Sequence, residues 1–268
     1  MTKTNPDHVT RALRLAANAE ALLVFDLETS DKPNNVHKGK TDGDHTGTPT
    51  GKVMQLAARR YAWDGRAGSG TLTHAMNVLM KDPDIRPCCL HPRAAATHLI
   101  SIEDLHAPAG NPHLVDVARL DPREAWTDFL ALADGAVLMG HNAINFDIPF
   151  ANRELARFGL PPVLDAASAI DTLVLAQTVL SLASNRLRST AEFLEVSTDP
   201  ALDHNALGDI DTTFEIWKRL LPLSRDFAGR YLVTDGDPYT GRLGTLGAAW
   251  ANAETPDRAP VTEGQAAA

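Results

Sequence analysis

The chain has 268 residues, 44% hydrophobic and 22% charged, the balance of a globular protein with enough length for one large core. Its formal net charge of −9 argues against holding nucleic acid by bulk electrostatics, but it suits an acidic site that divalent cations would neutralise. No apolar run approaches the roughly 20 residues of a membrane span, residues 1–8 lack a secretory core, and the adjacent Cys88 and Cys89 read as free thiols of a reducing compartment, the cytoplasm.

Residues 1–20 read as an N-terminal helical extension, with Val9, Leu13, Leu15 and several alanines spaced among charges. Residues 21–25 are continuously apolar and predict a buried strand. From 30 to 51 the chain turns to Gly, Asp, Lys, Asn, Thr and Pro and predicts a long loop of the kind that often serves a site. Residues 53–62 and 71–79 predict two strands joined through 64–70. Residues 81–113 hold five prolines and four histidines and read as irregular. Asp121-Pro122-Arg123-Glu124 opens a helix that Gly135 ends, and 136–139 is another buried strand. A helix opens at 145–147, carries Phe150, Leu155 and Phe158 on one face, and stops at Pro161-Pro162.

The remaining predicted elements are a short strand at 169–170 and helices over 171–180, 189–194 and 205–221. The last of these carries Ile210, Phe214, Trp217 and Leu221 on one side, with Asp211 read as a solvated residue. Strands and helices that alternate in this way predict an α/β layer over residues 21–222, followed by a C-terminal extension, 223–268. The last ~15 residues, rich in Ala, Pro, Thr and Glu, are expected to be disordered.

Three acidic patterns carry the chemistry. In Phe25-Asp26-Leu27-Glu28-Thr29, strand periodicity puts both carboxylates on one side at the end of an apolar strand. Two carboxylates held together raise each other's pKa unless a cation lies between them, and hard oxygen ligands select Mg²⁺ or Mn²⁺. In Gly140-His141-Asn142-Ala143-Ile144-Asn145-Phe146-Asp147, the acid falls at a helix start, beside His141 and Asn142, which can donate to a phosphate. In His204-Asn205-Ala206-Leu207-Gly208-Asp209, histidine and acid converge only if His204 lies in the loop before the helix and Asp209 in its first turn. Each pattern alone also fits a plain structural role: a surface strand end, a helix cap, a turn. Cys88, Cys89, His91 and His98 have no standard zinc spacing and read as ordinary thiols and loop histidines.

The ordered set resembles the DEDD superfamily of 3′→5′ exonucleases, in the branch with histidine in the third motif. The first and third motifs match in full, the second is closer to that of exonuclease I, and Asp171-Thr172-Leu173 resembles an intervening family segment. The resemblance covers roughly residues 20–222. It implies an RNase H-like mixed β-sheet flanked by helices. It also implies hydrolysis of single-stranded DNA, or alternatively RNA, from the 3′ end to nucleoside 5′-monophosphates. By the same resemblance Asp26 would bridge two Mg²⁺ or Mn²⁺ ions, Glu28 and Asp209 would complete the shell of the first, Asp147 would hold the second, and His204 would be the general base. Leu27 and Thr29 would contact the terminal nucleotide, with His141 and Asn142 as further substrate contacts and a polymerase or repair protein as a possible partner. A non-catalytic nucleic-acid-binding module of the same fold is the competing reading.

Overall fold

The computed structural model describes residues 5–31, 51–107, 111–112, 114, 116–180, 182–198 and 205–231. Residues 32–50 of the loop expected at 30–51, residues 232–268 of the C-terminal extension expected from 223, and His204 lie outside them. The chain divides into two compact units, Met1–Ser224 and Arg225–Ala268. In the described part of the second, Arg230 pairs with Asp226 at 2.8 Å.

Helix α1 (Pro6–Asn18) begins at Asn5, whose side chain accepts the His8 N–H, with proline in the first turn where a missing donor does no harm. Strands β1 (Ala21–Thr29), β2 (Val53–Asp64) and β3 (Ser69–Met80) form an antiparallel meander. Two short helices, α2 (Pro92–His98) and α3 (Ile102–His106), precede β4 (Ala118–Leu120) and α4 (Pro122–Ala133). Then come β5 (Val137–Gly140), α5 (Asp147–Arg157), β6 (Ala169–Asp171), α6 (Thr172–Val179), α7 (Leu187–Phe193) and α8 (Ala206–Tyr231). One six-stranded sheet results, in the order β4-β3-β2-β1-β5-β6. The pairs β3–β4, β1–β5 and β5–β6 are parallel, so the sheet is mixed and flanked by helices, as expected.

Side-chain alternation along β1 gives the sheet two different faces. Leu23, Phe25 and Leu27 join the core beneath α4 and α5, with Trp126, Phe129 and Phe150 fully buried. Leu22, Val24, Asp26 and Glu28 point to the opposite face. There Phe214 of α8 stacks on Tyr61 with centroids 3.8 Å apart, and Trp217 lies 6.2 Å from Trp63. Asp211 is not a free surface residue: it pairs with Arg59 on this same face of the sheet.

The structure adds order where the sequence reading had none. In 81–113, expected to be irregular, Pro87 and Pro92 fall in the first turns of short helices. Pro92 sits in the first turn of α2, and Ser101 and Asp104 form a capping box for α3. Ile85, Ile100 and Leu105 pack with Met54 and Leu79 into a small second core. Helix α8 also runs past residue 221, through Pro222, to Tyr231. Among the described residues, no helix is long and apolar enough to cross a membrane.

Candidate active site

Three elements converge at the carboxyl end of β1. Asp26 and Glu28 stand on one face of that strand, and Asp209 comes from the first turn of α8. One carboxylate oxygen from each lies within 4.8 Å of the others. Just beyond Glu28 the β1–β2 register shifts: Glu28 faces Gln55 and Thr29 faces Val53, so Met54 is an extra residue in β2. A bulge of this kind bends a strand and re-aims its side chains, and bulges collect near functional sites.

Asp147 reaches the same place from the sheet's other side. It is 2% exposed at the start of α5, and its Oδ1 accepts the Leu27 N–H, between the two β1 acids, at 3.2 Å. The turn that delivers it is held by Asp171 at the end of β6. This fully buried carboxylate accepts from the N–H groups of Asn142 at 2.9 Å and Ile144 at 3.1 Å, and of Leu173 at 3.0 Å and Val174 at 3.4 Å. Asn142 takes a left-handed backbone there, with φ of 72°. Gly140 has no room for a side chain, because a Cβ would come within 2.6 Å of the Ala143 Cβ.

The electrostatics are those of carboxylates crowded together. Burial, then the neighbouring Asp147, pushes Asp26 well above the usual carboxylate range. Burial, then Asp26 and Asp209, does the same to Glu28. Burial and the nearby Asp171 push Asp147 up to about 7. A cluster that holds protons this firmly is one that a divalent cation would relieve, and an all-oxygen donor set suits a hard ion.

The remaining expected site residues are placed as follows. Leu27 is 4% exposed in the core under α5. Thr29 is buried at the end of β1. His141 Nε2 donates to the Asn185 carbonyl at 2.9 Å, which leaves Nδ1 to accept from the Thr172 hydroxyl, also at 2.9 Å. Its ring is thereby tied to the fold, and burial lowers its pKa to about 4. Asn142 is half-buried in the turn. His204 lies outside the described residues, immediately before Asn205, whose Oδ1 accepts the Leu207 N–H at 2.9 Å and caps α8. His91 Nδ1 accepts from the Arg93 N–H and caps α2, and His98 Nδ1 accepts from the Ile100 N–H just past that helix. Among the described residues, Asp26, Glu28 and Asp209 are the one group with metal-ligand spacing.

The sequence reading gave no site role to Asp171, Gln55 or Asn205. Asp171 is legible in retrospect as an acid opening a helix, and Gln55 as a lone amide in the apolar run Val53-Met54-Gln55-Leu56-Ala57-Ala58.

A mixed sheet carries acids at the end of its first strand and at the starts of two helices, α5 and α8. The family described as exonuclease, of RNase T type, matches residues 111–217, which contain Asp147 and Asp209. Exonuclease I from E. coli in complex with a dA16 oligonucleotide has a similar fold. The TM-score is 0.57 at 16% identity, over 85% of this chain and 45% of that one. A further exonuclease I structure gives 0.57 at 16% identity, over 78% and 43%. The PolC-type DNA polymerase III of Ureaplasma parvum is 30% identical over 99 residues, 37% of this chain and 7% of the polymerase. The chain thus spans less than half of the exonuclease I chains it matches and a small part of the polymerase.

Proposed function

We propose that this protein is a divalent-cation-dependent 3′→5′ exonuclease that releases nucleoside 5′-monophosphates from single-stranded DNA. The observation that carries this reading is the meeting of Asp26, Glu28 and Asp209 within 4.8 Å, with Asp147 hydrogen-bonded to the strand between them. The similarity to exonuclease I, solved with oligonucleotides and with single-stranded DNA, supports the substrate.

In this reading Asp26, Glu28 and Asp209 hold one Mg²⁺ or Mn²⁺ and Asp147, with Asp26, a second. The ions supply charge stabilisation for the attacking and leaving oxygens at phosphorus. The protein's own part is to bring the four acids together. The Leu27 N–H fixes Asp147 against β1, Asp171 sets the turn before α5, and the Asn205 cap fixes the start of α8. His204, next to that cap, takes a proton from the attacking water as its oxygen bonds to phosphorus. The bond to the 3′ oxygen breaks, that oxygen gains a proton, and the terminal nucleotide leaves with its 5′ phosphate. A polymerase or repair partner in the cytoplasm belongs to the same reading, supported by the polymerase relative.

The test is a gel time course on 5′-labelled single-stranded DNA and RNA of matched sequence, with Mg²⁺, Mn²⁺ or EDTA. A cation-dependent ladder shortening from the 3′ end of DNA is expected. Shortening of RNA alone would reassign the substrate. Folded protein that cleaves neither would return the chain to a binding module.

A further inference from the structure

Behind the acidic centre lies a buried amide that the chemistry above does not use. Gln55 is fully buried, and in the antiparallel register it stands opposite Glu28, so both side chains share the face that carries Asp26. Its Nε2 donates to Asn77 Oδ1 on β3 at 2.8 Å and reaches Asn205 Oδ1, the cap of α8, at 3.4 Å. The orientation of the amide follows from this chain of contacts. The Leu207 N–H requires an oxygen on Asn205 facing α8, and that oxygen in turn requires the Gln55 nitrogen facing it. Gln55 Oε1 is therefore fixed as well. That oxygen is buried and has no hydrogen-bond partner among the described residues. Buried polar atoms are nearly always paired, and on the strand that pairs with the one carrying Asp26 and Glu28 this acceptor is open to a water.

Resting on the cation reading above, we propose that Gln55 is a positioning residue of the acidic centre. Its Nε2 locks the start of α8, and so Asp209, to the sheet, and its Oε1 accepts a hydrogen bond from water that accompanies a hydrated divalent cation into the site. Mg²⁺ and Mn²⁺ sites of few carboxylates keep several waters, and such waters need acceptors behind them. The amide is satisfied only through its nitrogen.

The test is a Mn²⁺ titration followed by electron paramagnetic resonance, with a thermal melt of each metal-free protein beside it. Wild type is expected to bind, and Gln55→Leu, of similar volume, to bind roughly 10–100-fold more weakly while still melting cooperatively. Unchanged Mn²⁺ affinity in folded Gln55→Leu overturns the assignment and leaves the cation reading standing. Wild type that takes up no Mn²⁺ sinks the cation reading instead. If Gln55→Leu does not fold, Asn205→Ser is read in the same titration. It keeps a capping oxygen for α8 but drops the bridge, so weaker binding is expected and wild-type binding overturns the proposal.

Discussion

At the scale of single residues, the charge state of the four acids is the property with the clearest consequences. Asp26→Asn preserves shape and removes one ligand charge, and it should lower kcat roughly 10³-fold or more, the loss of several kcal/mol of charge stabilisation. Single-turnover cleavage of labelled DNA reads this directly. Asp147 makes a prediction about stability. Its folded pKa is raised from the ordinary 3.8 to about 7. The sign follows: a raised carboxyl favours the fold below about pH 4, and that contribution is lost as pH climbs through about 7. Asparagine keeps the oxygen that accepts the Leu27 N–H and carries no charge. Metal-free Asp147→Asn should therefore melt closest to wild type near pH 4 and progressively above it as pH climbs to about 7. A difference that does not change with pH would show that the wild-type carboxyl is ionised throughout.

At the scale of elements, the turn between β5 and α5 hangs on one carboxylate. Asp171→Ala leaves the part-buried N–H groups of Asn142, Ile144, Leu173 and Val174 without their acceptor, and it should cost about 3 kcal/mol in urea unfolding, since a donor orphaned in full burial costs about 1–3 kcal/mol and water can reach these four in part. Phe214→Ala should cost about 3–5 kcal/mol, because α8 loses the ring stacked on Tyr61. These two elements also show what was legible in the sequence. The apolar faces of α5 and α8, the capped start of α4 and the buried strands β1 and β5 follow from periodicity and turn chemistry, and they deliver Asp26, Glu28, Asp147 and Asp209 to the right ends. Strand β4 has three residues and too little length for a period. Helix α2 is hidden because Pro92, a first-turn residue, also fits a breaker, and α3, with five residues, is too short to show a period. Asp171 and Gln55 act through backbone and amide partners distant in sequence, which no local pattern records.

At the scale of the whole molecule, the cation becomes part of the stability of the fold. Metal at a hundred times its Kd should stabilise the protein by about 2.7 kcal/mol, or about 5–10 °C in Tm for a domain of this size. EDTA should reverse the shift and Asp26→Asn should abolish it. Differential scanning fluorimetry with and without Mn²⁺ checks this, and an unmoved Tm would deny the cluster its role. The centre also joins distant parts of the chain: Asp26 and Glu28 lie on the first strand, and Asp209 on a helix that follows every other strand and helix described. Closing so large a loop adds only slowly to the entropic cost, about 0.6 kcal/mol per doubling, yet contacts of this range slow folding. A ribosome therefore releases the sheet's acids well before their last companion. The growing chain presents only an incomplete ligand set until α8 has been made and Phe214 stacks on Tyr61.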